Sequence, residues 1–260
     1  MSDLLALYQP KNVIVFMLIF TRLTGLFASA PFFSSFRIPN AIKLFLAGLV
    51  AFLMFPAVLS QGGFIFPHTA PQLIIYILIE FFLGFLIGFI LNLVFQAFTM
   101  SGSIVSIQMT LSMSEILDPA TGGRASVISS VYTYLATLVF FIMGAHIWIF
   151  EALYLSFQRI PISSVNFLTP EFVQSIIVMA SNIFQIAFSL VMPIFAVLLV
   201  TDLLLGLMAK MMPQMNIFMV SLPFKIYCGL LLMVFFLLGS TRYMEDVIKQ
   251  CMDAIKALFM

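Results

Sequence analysis

The chain has 260 residues, of which 63% are hydrophobic and only 8% charged, with a formal net charge of +1. Charge that sparse excludes an ordinary soluble domain, where roughly a quarter of residues are charged, and the near-zero balance excludes both a basic surface for nucleic acid and an acidic solvating tail. Cys228 and Cys251 lie in different segments without metal-ligand spacing around them, which excludes a zinc module or a disulfide scaffold; no cofactor is expected.

Apolar stretches follow one another at 13–30, 44–59, 73–98, 125–149, 176–200 and 224–238. About 20 apolar residues cross a bilayer core as a helix. The second and last stretches are therefore short, and the three between them have length to spare. Irregular backbone survives at membrane depth only under protein or water. The expected fold is all-α and membrane-associated, built from helical hairpins with kinked and re-entrant helices that bury against neighbouring proteins. The 31 Phe and 18 Met suit packing between subunits or a deformable seal.

In the first stretch, Lys11, the run from Val13 and Ala28-Ser29-Ala30 imitate a cleavable signal peptide. Arg22 interrupts the run and Pro31 follows the supposed cleavage site, so the segment is expected to stay in place. In the third, Gly84 and Gly88 form a small-xxx-small face beside Glu80. Pro193 is expected to bend or break the fifth stretch, and Asp202 stands just past its end. A charge inside such a segment costs several kcal/mol on insertion scales and needs a partner or an aqueous cavity. Arg22, Glu80 and Asp202 therefore admit two readings: a structural ion pair between Arg22 and one carboxylate, or a carboxylate that carries protons.

The joint 100–124 is long for a compact membrane protein. Small residues (Ser101-Gly102-Ser103, then Asp118-Pro119 and Gly122-Gly123) permit tight or irregular backbone. Between them stand methionines and aliphatics that a water-exposed loop would not hold. Either this is a re-entrant element packed on neighbours, or it is a flexible apolar plug that blocks a pore until something pushes through.

The joint 213–218 is also unusual. Pro213 ends a helix, Gln214 and Asn216 offer side-chain amides, and Met215, Ile217 and Phe218 are apolar where a plain loop would be polar. A covered partner surface and an internally packed turn both fit. At the C-terminus, Val247, Ile248, Cys251, Met252, Ile255, Leu258 and Phe259 share one helical face opposite Glu245, Lys249, Asp253 and Lys256. That pattern predicts a membrane-surface helix or one docked on a partner subunit.

Catalysis finds little material. His68 and His146 belong to no H-E-x-x-H pattern, no histidine supports Ser101 or Ser103 as a nucleophile, and no glycine loop precedes a phosphate-binding lysine. Setting the C-terminal tail aside, the odd joints hold Arg37, Lys43, Arg124, Lys210 and Lys225 against Lys11 and Arg159 on the other side, which puts the odd joints in the cytoplasm.

Further signals recur in order along nearly the whole chain: Arg22-x-x-Gly25, Pro31-Phe32-Phe33 and Pro39, then Gly102, Gln108-Met109, Ser112 and Asp118-Pro119. Ala152, Ser156-Phe157, Pro161 and Pro193 follow, and Asp202-Leu203-Leu204-Leu205-Gly206-Leu207 leads to Pro213-Gln214-Met215-Asn216-Ile217-Phe218. The Pro-Gln-Met-Asn-x-Phe run is the most specific of these. In this order they resemble the FliR family of flagellar type III export-gate proteins, whose SctT/SpaR counterparts serve injectisomes. Thr110 departs from the pattern, since flagellar members often have Gly there.

The resemblance implies a single-copy subunit that forms, with FliP and FliQ, a channel for unfolded flagellar proteins in the bacterial inner membrane at the flagellar basal body. It implies no enzyme activity. Residues 1–170 would be FliP-like and 171–260 a FliQ-like hairpin with the amphipathic tail. The family's plug loop maps onto 104–121, with Ile104, Ile107, Gln108, Met109, Leu111, Met113, Ile116 and Leu117 as the plug. The turn of Pro213, Gln214, Met215, Asn216 and Phe218 would face FlhB, with FlhA a further partner. The rival reading is a self-contained secondary transporter, which internal inverted repeats would favour; none is evident between the chain halves.

Overall fold

The computed structural model describes residues 10–31, 33, 38–62, 64, 66–67, 69–111, 126–162, 170–214 and 216–258. These residues form helices α1 (Pro10–Ser29), α2 (Asn40–Leu59), α3 (Ala70–Gln108), α4 (Val127–Ile142), α5 (Ala145–Arg159), α6 (Pro170–Met211) and α7 (Ile217–Leu258), with no strand among them. Five are long and apolar enough to cross a membrane, or six spans if the bent pair α4 and α5 counts as one. The all-α expectation with bent elements is met. A helix satisfies its backbone internally, which is why so apolar a chain adopts nothing else.

Punctuation by proline, glycine and serine is local and readable. Pro39 precedes α2, and Pro170 opens α6 where its missing N–H costs nothing. Ser126 caps α4 by accepting a hydrogen bond from Ser129 N at 3.1 Å. Gly144, at φ 68°, supplies the left-handed residue at the break between α4 and α5. Pro193 does not break its helix: α6 runs through it from Pro170 to Met211, and Pro223 likewise lies inside α7. Neighbouring helices and local adjustments re-satisfy the freed carbonyls in such segments.

By contact, the chain divides into two compact units. The first comprises Met1–Leu93, Gly144–Ala180 and Lys249–Met260; the second comprises Val94–Met143 and Ser181–Ile248.

In the first unit, α1 lies with its backbone against α3. A Cβ on Gly84 would stand 1.7 Å from Arg22 O, and one on Gly25 would stand 2.2 Å from Phe81 O. Gly88 admits Ser29 in the same way, the hypothetical Cβ lying 2.2 Å from its Oγ. Helices immersed in lipid gain little by burying apolar surface, so close packing and interhelical hydrogen bonds must hold them. Both occur here: Ser29 Oγ donates to Phe85 O at 2.8 Å, and Asn92 Nδ2 donates to Ser29 O at 3.0 Å. On α2, Phe55 meets Phe16 of α1 edge to face at 6.2 Å. With Leu18, Ile19, Leu23 and Leu26 all buried, α1 is an integral part of this core.

The C-terminal stretch continues α7 rather than forming a separate surface helix. Its apolar face is covered, with Cys251, Met252 and Ile255 buried. Within the first unit, Lys256 Nζ donates to Glu151 Oε2 of α5 at 2.7 Å and lies over the Trp148 ring. The cover for this end of the tail is thus the chain itself.

In the second unit, α3 and α4 run antiparallel, as the hydroxyl pairs Thr99–Thr133 (2.9 Å) and Ser103–Ser129 (2.8 Å) require. Between these pairs Gly102 lets the backbones meet, since a Cβ there would lie 2.4 Å from Ser129 Cα. Ser101 Oγ reaches across to Ala187 O of α6 at 3.1 Å. The helix therefore continues ten residues past the apolar stretch that ends at Phe98. Serines that would loosen an isolated helix are here bonded to their own turns and to neighbours.

Apolar side chains on α6 and α7 remain uncovered, among them Leu203, Leu207 and Met211, and Leu231, Phe235 and Leu238. Almost none of the most apolar window of α7 is buried within the chain. Lipid or other protein must be its solvent.

Candidate functional site

Among the described residues, each unit holds a charged cluster within its apolar helices. In the first unit, Arg22 and Glu80 are wholly buried, and Arg22 Nε donates to Glu80 Oε2 at 2.6 Å. The rest of the guanidinium fork is occupied as well. Nη1 donates to Ser156 Oγ at 3.1 Å and Nη2 to Ile160 O at 3.2 Å, both from the C-terminal end of α5. The Phe157 ring lies 4.1 Å under the guanidinium carbon. Ser156 Oγ passes its own proton to Leu153 O at 2.6 Å, which leaves its lone pairs free for the arginine. Arginine suits this place because one planar cation serves three acceptors and an aromatic face together. It joins α1, α3 and α5 at one buried point.

Asp202 is no part of that cluster. It sits on α6 in the second unit, its side chain 37% exposed, and pairs with Lys225 of α7. Its other oxygen accepts from Gln108 Nε2 at 3.0 Å. The last turn of α3 is thereby tied to the facing ends of α6 and α7. Lys225 belongs to α7 rather than to a joint and completes this cluster.

Beside it, Met109 is fully buried, and its side chain lies where a Cβ on Gly229 would come within 2.5 Å of Met109 Cγ. The helix then closes with a left-handed residue: Thr110 N donates to Ile107 O at 2.9 Å and Leu111 N to Ser106 O at 3.0 Å, with Thr110 at φ 60°. A β-branched residue at that φ is strained, by roughly 1–2 kcal/mol. This is the position at which the resemblance notes Gly, and the turn explains the preference. Thr110→Gly is expected to raise the thermal midpoint of the purified protein, by about 0.5–1 kcal/mol after the entropy glycine adds to the unfolded chain. An unchanged or lowered midpoint would show that the turn is not strained.

The plug residues divide accordingly. Ile104, Ile107 and Gln108 are helical, Ile107 is exposed, Met109 is buried, and Leu111 stands in the turn. Met113, Ile116 and Leu117 lie outside the described residues. At the other joint, Pro213, Gln214 and Asn216 are exposed. Asn216 O accepts from Met219 N at 3.1 Å to start α7, so Ile217 and Phe218 are helical rather than loop. Met215 lies outside the described residues.

Some of the residues that carried the resemblance meet in these places. Arg22, Gly25, Ser156 and Phe157 form or flank the first cluster; Gly102, Gln108, Met109 and Asp202 form or flank the second. What composition missed is Lys225, Gly229 and the capping Ser126. None carries a sequence signal apart from the partner it meets in space.

The fold and the two clusters define a polytopic helical membrane protein that holds its polar groups as interhelical ties. The sequence pattern of bacterial export proteins, family 1, matches residues 13–251. The chain is 31% identical over 230 residues to the flagellar biosynthetic protein FliR of Aquifex aeolicus, covering 87% of this chain and 86% of that one. It is 29% identical over 212 residues to FliR of Escherichia coli, covering 82% and 80%. To the surface presentation of antigens protein SpaR of Shigella sonnei it is 30% identical over 253 residues, covering 94% and 93%. The chain belongs to this family, the FliR/SpaR export-gate proteins of type III secretion, and is an inner-membrane component of the export apparatus rather than an enzyme.

Proposed function

We propose that the chain is the single-copy subunit of the flagellar type III export gate. With FliP and FliQ it forms the channel for unfolded flagellar proteins, and segment 104–121 is the apolar plug. Residues 1–170 play the FliP-like part and 171–260 the FliQ-like hairpin. The observation that carries this reading is the stem of that segment. Its N-terminal side is fixed by Gln108 on Asp202 and Met109 on Gly229, and Ser103–Ser129 and Gly102 bind it to the start of α4. Such a stem holds the bundle on both sides of the segment independently of residues 112–121. The uncovered apolar faces of α6 and α7 support assembly with further helical subunits. An injectisome role is the second reading, supported by the likeness to SpaR; neighbouring genes distinguish the two.

The exposed Pro213, Gln214 and Asn216 are the surface offered to FlhB, with FlhA a further partner. Gln214→Ala with Asn216→Ala is expected to weaken FlhB association severalfold while FliP and FliQ still co-purify. A photo-crosslinker at 214 or 216 should capture FlhB in the assembled complex. If it reaches only this same chain, the turn is structural. A chain that purifies alone as a stable monomer or symmetric dimer would instead favour the transporter reading.

A further inference from the structure

In the second unit, the last turn of α3 is held against its own local preference. Thr110 stands at φ 60°, where a β-branched side chain is strained. One turn earlier Ser106 is buried, and its Oγ meets no partner among the described residues. A buried hydroxyl left unpaired opposes the conformation that buries it. Two ties from adjacent residues act the other way. Gln108 Nε2 donates to Asp202 Oδ2 of α6, and the buried Met109 fills the notch at Gly229 of α7. Upstream, Ser103 and Gly102 are fixed against Ser129 of α4, so the opposed features are confined to 105–111.

The polar tie can also part without stranding a charge. Asp202 is partly exposed, and Lys225 stays paired with it when Gln108 leaves. The wholly buried Arg22–Glu80 pair is the opposite case, since parting it would separate two charges that no solvent reaches. We propose that the last turn of α3 is a releasable latch. Gln108 on Asp202 and Met109 on Gly229 hold it closed, and loss of both ties lets 105–111 uncoil back to the anchor at Ser103. Strain at Thr110 and the unpaired Ser106 hydroxyl favour that release, while Lys225 compensates Asp202 in either state. What release does for export rests on reading 104–121 as the plug: the closed latch keeps the plug seated, and the open one frees it.

A disulfide tests the latch directly. A Cβ at position 229 would lie 2.5 Å from Met109 Cγ, which is itself roughly 1.5 Å from Met109 Cβ. The two Cβ atoms would therefore stand at most about 4 Å apart, within the reach of a disulfide. Met109→Cys with Gly229→Cys, in a Cys228→Ala parent, should form that bond in the assembled complex and stop export, and dithiothreitol should restore it. Gln108→Leu removes the amide and keeps the bulk. It should raise dye uptake by the cells about tenfold, the low end for a hydrogen bond to a charged group, because Asp202 is partly exposed. Thr110→Gly added to Gln108→Leu should bring uptake back down by relieving the strain that favours release, a rescue that a merely structural tie does not produce. Export at the parent level through fully crosslinked complexes would overturn the latch. So would a disulfide that does not form, or a Gln108→Leu complex that assembles and stays tight. The plug reading fails separately. Leaky cells lacking 112–121, together with unimpeded export through the crosslinked complex, keep the plug and remove the latch; tight cells lacking 112–121 remove the plug and the latch with it.

Discussion

Arg22→Ala is expected to cost about 3–5 kcal/mol and to reduce sharply the yield of assembled complex, because it takes the cation away from a buried carboxylate. The loss is broader than one ion pair. Glu80 loses its cation, Ser156 Oγ and Ile160 O lose their donors, and Phe157 loses the charge over its face. Arg22→Lys should restore little, since an ammonium on a longer stem lacks the fork that serves α3 and α5 together. Removing both charges is the informative control. Arg22→Met with Glu80→Leu should recover much of the yield, as replacing a buried pair by apolar groups of similar volume is often neutral. Yield after mild extraction and the thermal midpoint in detergent are the measurements. Assembly of Arg22→Ala at the level of the parent would count against a structural tie. The alternative, a proton-carrying carboxylate, makes a different demand: Glu80→Gln or Asp202→Asn would assemble normally yet stop export.

The same cluster shows what a sequence can and cannot disclose. That Arg22 needed a partner was legible, because a cation in an apolar stretch is expensive. Which partner was not, since Glu80 stands 58 positions away and Asp202 was equally available. The choice is made by packing: Gly25, Gly84 and Gly88 bring α1 onto α3, which carries Glu80. Gly84 and Gly88 were visible as a small-residue face, but a face does not name its mate.

Helix ends were the weaker part of the reading, for a related reason. Apolar content locates a span but not its continuation through polar residues. Ser101 and Ser103 carry α3 on to Gln108 by bonding to Ala187, Ser129 and their own turns. α6 continues through Asp202 because Lys225 and Gln108 satisfy that carboxylate. α7 runs on from its apolar part into an amphipathic end whose lysine meets Glu151. In each case a tertiary bond decides what local propensity leaves undecided.

Deleting residues 112–121 is expected to make cells leaky to ions or small dyes, severalfold above the parent, while export continues. The deletion is drawn from the stem's geometry. It spares Gln108 on Asp202, Met109 on Gly229 and the turn that closes at Leu111. It also spares Ser126 and Ser129, which hold the start of α4. The remaining residues 122–125 reach about 13–14 Å when extended, enough to rejoin antiparallel helices already in contact at Ser103 and Ser129. A leak would then report loss of a seal rather than loss of the fold. If the segment is the plug, soft side chains such as Met113 would seal by conforming to their surroundings, and single substitutions should leak less than the deletion. Dye uptake and conductance of cells bearing the variant, with co-purification of FliP and FliQ measured on the same cells, separate the cases. A complex that assembles, exports and remains tight without 112–121 would remove the plug from this segment, and the barrier would have to be sought elsewhere in the gate.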